Sequence, residues 1–179
     1  STFNISDPTK VSKENTIYVD ENHGLETIFA HEPYLFLGSQ TSLYIYETAS
    51  DPSRPAPVSI FPHSRACDPV VVENDYAYVT LKGTENCPGT KNELKVIDIS
   101  DIENPALLKD YPLTAPTGLA VTTDRLFVCD GHQLKMFDST DPEALQVIAE
   151  AEAKDCQDII YDEVSLIVTS GAGITQYDV

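Results

Sequence analysis

Apolar residues recur along the chain in short runs, each closed by turn residues, and the runs follow one another in a fixed order. One set reads Tyr34-Leu35-Phe36-Leu37, Tyr76-Ala77-Tyr78-Val79, Leu126-Phe127-Val128 and Leu166-Ile167-Val168. Before each stands a second run: Thr27-Ile28-Phe29-Ala30, Val70-Val71-Val72, Leu119-Ala120-Val121 and Ile159-Ile160-Tyr161. Glu32-Pro33, Glu73-Asn74-Asp75, Thr123-Asp124 and Asp162-Glu163 separate the two sets. β-branched and aromatic residues in short runs between turn residues predict successive antiparallel strands.

A third run shows that the order is a repeat. Leu94-Lys95-Val96-Ile97-Asp98-Ile99-Ser100-Asp101 recurs as Leu134-Lys135-Met136-Phe137-Asp138-Ser139-Thr140-Asp141 and, earlier, as Leu43-Tyr44-Ile45-Tyr46-Glu47-Thr48-Ala49-Ser50-Asp51. Thr2-Phe3-Asn4-Ile5-Ser6-Asp7 and Ile174-Thr175-Gln176-Tyr177-Asp178 are degenerate copies. The equivalent positions Phe3, Tyr46, Ile97, Phe137 and Tyr177 are 43, 51, 40 and 40 residues apart. After this run comes Ser-Asp-Pro or a variant of it, in which side-chain oxygens bind nearby N–H groups and Pro sets the turn. A fourth strand is then expected at Asn15–Val19, Pro57–Phe61, Ala106–Tyr111 and Leu145–Ala151. The last of these also reads locally as a capped helix from Asp141-Pro142-Glu143, but repeat position predicts strand.

Four strands per unit of about forty residues predict an all-β fold, a β-propeller of four-stranded blades. The units are a partial blade at 1–20, blades at 24–62, 63–112 and 113–153, and a partial blade at 154–179. Seventeen strands are expected, beginning in the middle of a blade, so the chain reads as the C-terminal part of a larger propeller. The alternative is a small closed ring in which Asn15–Val19 completes the last blade and Phe3–Ser6 is surplus. An open arc leaves an unpaired edge that a partner chain or a further segment must cover.

Composition narrows the partners. The formal charge is -18, from 29 acidic and 11 basic residues, and no basic cluster exists for a nucleic-acid backbone or an anionic membrane surface. Hydrophobic residues make up 41% of the chain, enough for a core, and the apolar runs are too short and too often broken to span a membrane as helices.

Cys67 opens the first strand of its unit and Cys87 lies in the long loop between strands two and three of the same unit. Both fall on one face of the blade, so a Cys67–Cys87 bridge is expected. Cys129 and Cys156 are expected as buried free thiols acting as small hydrophobes, a bridge between adjacent blades being the alternative. Glu26, Asp68 and Asp158 stand at the starts of first strands, where carboxylates can converge on a central channel and hold a hard cation such as calcium. No Asp-x-Asp-x-Asp-Gly loop supports that, and a solvated acidic rim is the plainer expectation. His23, His63 and His132 fall on the same face with no spacing that brings them together. Neither a Gly-x-Ser-x-Gly elbow nor a phosphate loop is present, so no catalytic residue is assigned and no cofactor is expected.

The run Leu94–Asp101 followed by Asn104-Pro105 resembles the bacterial LVIVD repeat. Gly24-Leu25-Glu26-Thr27-Ile28, Cys67-Asp68-Pro69-Val70-Val71-Val72, Tyr76-Ala77-Tyr78-Val79-Thr80 and Leu126-Phe127-Val128-Cys129-Asp130-Gly131 resemble its surface-lipoprotein members. Glu47, Ile102 and Ala144-Leu145 depart from the pattern. The resemblance implies a propeller, often on an extracytoplasmic lipoprotein of the cell surface or periplasm, anchored by lipid outside this chain, with no catalytic residues to carry over. The expected function is therefore a non-catalytic protein-binding or scaffolding module, as an accessory lipoprotein of an outer-membrane complex. A propeller hydrolase or lactonase with a central metal is the alternative, and a glycan-binding module a third.

Overall fold

The computed structural model describes residues 1–19, 24–65, 69–83, 89 and 91–178. A two-stranded antiparallel sheet comes first, β1 (Thr2–Asn4) with β2 (Ser12–Asn15). Blade one is β3 (Leu25–His31), β4 (Tyr34–Ser39), β5 (Ser42–Glu47) and β6 (Ala56–Pro62). Blade two is β7 (Val70–Glu73), β8 (Tyr76–Leu81), β9 (Glu93–Asp98) and β10 (Ala106–Pro112). Blade three is β11 (Pro116–Val121), β12 (Arg125–Asp130), β13 (Gln133–Asp138) and β14 (Gln146–Glu152), and blade four is β15 (Cys156–Tyr161), β16 (Ser165–Ser170) and β17 (Gly173–Asp178). The chain is thus all β, with four antiparallel sheets arranged as the four blades of a β-propeller. First strands of neighbouring blades touch in the order β3, β7, β11, β15, and all four line one central cavity of about 400 Å³.

The turn chemistry repeats as the sequence implies. Asp7, Asp51, Asp101 and Asp141 each accept the backbone N–H two residues on, from Thr9, Ser53, Glu103 and Glu143, at 3.0, 2.9, 3.2 and 3.0 Å. Each fourth strand then begins five residues past that aspartate, at Ser12, Ala56, Ala106 and Gln146. The expected strand at Asn15–Val19 is corrected by this spacing: the turn at Asp7 closes at Lys10, and pairing starts at Ser12. The competing helix after Asp141 is one 3-10 turn, Pro142–Ala144, which Asp141 caps, and β14 follows as strand.

The third and fourth strands share a β-bulge at one repeat position. The register shifts at Thr2/Phe3, at Ile45/Tyr46, opposite Val96 and Ile97, and at Met136/Phe137. One extra residue in each fourth strand bends it and sharpens the local twist. The shared bulge identifies β1–β2 as the outer half of a blade. It also rules out the closed-ring alternative for these residues, because β2 pairs with β1 and not with β17.

The core is divided among the interfaces between blades. Phe36, Leu43, Ile45, Val79 and Ile97 lie between blades one and two. Tyr78, Leu94, Leu126 and Phe137 lie between two and three, and Phe127, Leu134, Ile159 and Leu166 between three and four. Burying each of these side chains stabilises the fold by about 1.5–3 kcal/mol. Ile102, where the repeat usually has Pro, packs against the first cluster, and its carbonyl accepts the Ser59 hydroxyl at 2.6 Å. Gly118 lets blades three and four approach closely, since a Cβ there would run into the backbone of Asp158.

Candidate interaction surface

Repeat equivalence shows what the molecule leaves uncovered. Val71 and Ala120, on the inner strands of blades two and three, are buried by the blade that follows, but Ile160 at the same position in blade four is 60% exposed. Leu43, Leu94 and Leu134 are buried on the third strands, while their counterpart Ile174 is 76% exposed. At the other end of the array Ile28 is 68% exposed, whereas Val70, Leu119 and Ile159 at its position are buried. Position in the array decides exposure, not residue type: the inner blades are covered on both faces, blade one in part by the β1–β2 segment, and blade four on one face.

Blade four is also open at its edge. Among the described residues no strand pairs with the outer side of β17, although each of the other four third strands has its partner. Alternate backbone N–H and C=O groups along Gly173–Asp178 therefore face outward beside an uncovered apolar face. An exposed row of such groups is a template for pairing with another chain.

The ends of blades two and three are held by buried charge. The Asp130 side chain is fully buried and accepts the backbone N–H groups of Thr114 and Ala115 at 2.8 and 2.7 Å, and Lys135 Nζ at 2.7 Å. It fixes the loop that enters blade three. Lys95 donates to Asp110 at 2.7 Å and forms an ion pair with Glu93 at 3.0 Å. Burial opposes the charge on Lys95, but its contacts with the two carboxylates outweigh it and raise its pKa. Asp130, Lys135 and Lys95 are paired, while Glu93 Oε1 is buried beside Lys95 and accepts no hydrogen bond from the described residues.

The acidic residues read from the sequence as candidate cation ligands are placed apart. Glu26 lines a cavity between blade one and the β1–β2 segment, with Thr2, Ile17 and Leu35. Asp158 lines the central cavity with Val70, Leu119 and Ile159. Asp68 lies outside the described residues, as do Cys67, Cys87 and His23. Among the described residues no group of three His, Cys, Asp or Glu side chains is arranged to hold a metal. His63 Nδ1 lies 2.8 Å from the Ser64 carbonyl oxygen, and His132 Nδ1 lies 3.6 Å from Asp155, 71% exposed.

One expectation is overturned. Cys129 and Cys156 are not free thiols but form a disulfide, with Cα atoms 5.5 Å apart. Cys129 ends on β12 and Cys156 begins β15, and the close seating of β15 against blade three brings the two together.

No protein-family model matches the chain, and no curated protein matches it. Solved structures do. A protein from Lactobacillus plantarum superposes with a TM-score of 0.77 at 11% identity, over 98% of this chain and 59% of its own. BamB from Moraxella catarrhalis superposes at 0.63 with 12% identity, over 84% and 41%. The periplasmic gluconolactonase of Pseudomonas aeruginosa superposes at 0.67 with 13% identity, over 87% and 50%. The chain thus spans about two-fifths to three-fifths of the length of these structures, and at such identities the likeness is one of fold.

Proposed function

We propose that this chain is a non-catalytic, extracytoplasmic propeller of the LVIVD-repeat type that acts as a protein-binding or scaffolding module, as an accessory component of an outer-membrane complex carried by a lipid anchor outside these residues. The observation that carries the reading is the uncovered face of blade four, where Ile160 and Ile174 stand exposed beside the unpaired edge of β17. Their equivalents in the other blades are packed against a neighbouring sheet, so this surface is shaped to receive a strand-bearing partner. The Cys129–Cys156 bridge supports an oxidising compartment. The loop held by Asp130 and Lys135, the Lys95–Asp110 pair between strands and the bridge make a rigid platform, which lowers the entropic cost of docking.

Native purification followed by mass spectrometry tests the proposal. The expected result is a stoichiometric membrane-associated protein partner that is lost when Ile174→Glu is introduced. A solitary monomer contradicts it, as does finding the blade-four face already covered by a strand of the same polypeptide.

A further inference from the structure

The interface of blades three and four is packed on its inner half and open on its outer half. Val58 and Leu108, the bulge residues of β6 and β10, pack into the interface with the blade that follows, but Ile148, the bulge residue of β14, stands exposed. Phe61 and Tyr111 pack into the same interfaces, whereas Ala151 at their position brings only a methyl group. A cavity of about 560 Å³ opens there, lined by Met136, Ala149, Ala151, Leu166 and Tyr177 among others. Blade three therefore lacks cover in the plane of blade four, beside β17, and not only the Ile160 and Ile174 face is bare.

The other four third strands show what that cover is. Each pairs antiparallel with a strand that starts five residues past a turn aspartate and carries its bulge at one shared register. Pro55, Pro105 and Leu145 stand just before that strand in blades one, two and three. The position points toward the preceding blade: Leu145 is buried against blade two, and Pro55 lines the cavity beside β1–β2. Tyr111 reaches across and accepts the Leu145 N–H, which Ala151 has no atoms to do, so the same position beside β17 has room for a larger side chain. The residue facing Tyr177 shares the pleat of Tyr177 and points the same way, and its equivalents Pro57, Leu107 and Val147 are all apolar.

We propose that the docking partner supplies the fourth strand of blade four: an extended segment antiparallel to β17, bulged between the residues facing Tyr177 and Gln176, with a bulky apolar side chain just before the strand seated in the cavity beside Ala151. The proposal rests on the reading of blade four as a docking surface and adds the partner's geometry to it. Backbone pairing gives affinity whatever the sequence, and the cavity selects the side chain.

The probe is a synthetic peptide copying Ser100–Leu113, the turn and fourth strand of blade two, with Pro105→Phe to fill the cavity. Peptides with Pro105→Ala and with scrambled order are the controls, each titrated into the whole chain and followed by NMR. The Phe peptide is expected to bind saturably, to slow amide exchange along β17 and to place its Leu107 against Tyr177. It is expected to bind about tenfold more tightly than the Ala peptide, the effect of burying one large apolar side chain. In Ala151→Tyr, where the cavity is filled as it is at Tyr111, that preference is expected to fall below about threefold, and Ala151→Leu serves should the tyrosine variant fail to fold. No saturable binding at about 1 mM peptide, equal binding of the scrambled peptide, protection at a strand other than β17, or an unchanged preference in both Ala151 variants would overturn the proposal. So would an edge of β17 already paired with a second copy or with another segment of the same polypeptide. A crosslink to another protein from position 174 without peptide pairing along β17 leaves the docking surface standing and removes the added strand.

Discussion

The hydroxyl oxygen of Tyr111 accepts the backbone N–H of Leu145 at 2.9 Å and donates to the carbonyl of Pro142 at 3.3 Å. One side chain on the fourth strand of blade two thereby secures the turn of blade three. Leu145 is buried in the same interface, so its N–H has little access to water. Tyr111→Phe keeps the ring and removes the bridge. It is expected to cost about 1–3 kcal/mol, because a buried donor is left unsatisfied. Urea denaturation followed by circular dichroism measures the change, and a variant as stable as the parent would show that the bridge contributes nothing.

The disulfide spans 27 residues and joins blades three and four. Replacing both Cys129 and Cys156 by Ala is expected to destabilise the protein by about 2–4 kcal/mol. The loss is expected to fall mainly on blade four, whose packing in the described residues is chiefly against blade three. Hydrogen exchange resolves this: β15 to β17 should lose protection before β3 to β10 do.

Turn aspartates give the protein an acid limit. Asp162 accepts the backbone N–H groups of Ser165 and Val164 at 2.7 and 3.2 Å, and these bonds hold its carboxyl below the ordinary carboxylate value. A depressed folded-state pKa means the stabilisation is present above the unfolded value, about pH 4, and is lost as pH falls through the folded value. Asp162→Asn is therefore expected to be less stable than the parent at pH 7. The two should converge only once pH has fallen below the folded-state value, where the carboxylate is protonated in both states of the parent. Comparing the two proteins across pH removes the effect of overall charge. A gap that is constant with pH would contradict the assignment.

The array was legible in the sequence because every blade uses the same chemistry at the same step. Apolar runs mark the strands, and Asp7, Asp51, Asp101 and Asp141 mark the turns. The limit of β2 was missed because Asn15–Val19 looks more strand-like than Ser12–Asn15, yet the spacing from the turn aspartate sets the start. The Cys129–Cys156 pairing was not legible either. It depends on how closely blades three and four approach, and that follows from the absence of a Cβ at Gly118, a contact between strands far apart in sequence. The uncovered face could be anticipated only as an open edge. Which residues it exposes emerges when Ile160 and Ile174 are set against their buried counterparts.

The docking role of blade four is the central claim, and site-specific photo-crosslinking in the native host tests it most directly. A photoreactive phenylalanine analogue at Ile174, on the uncovered face, is compared with one at Leu107, which is also exposed to solvent (46% against 76%) but lies on the outer strand of blade two. The expected outcome is a discrete adduct with one other protein from position 174 and none from position 107. No adduct at 174, the same adducts at both positions, or a link only to another part of the same polypeptide would contradict it.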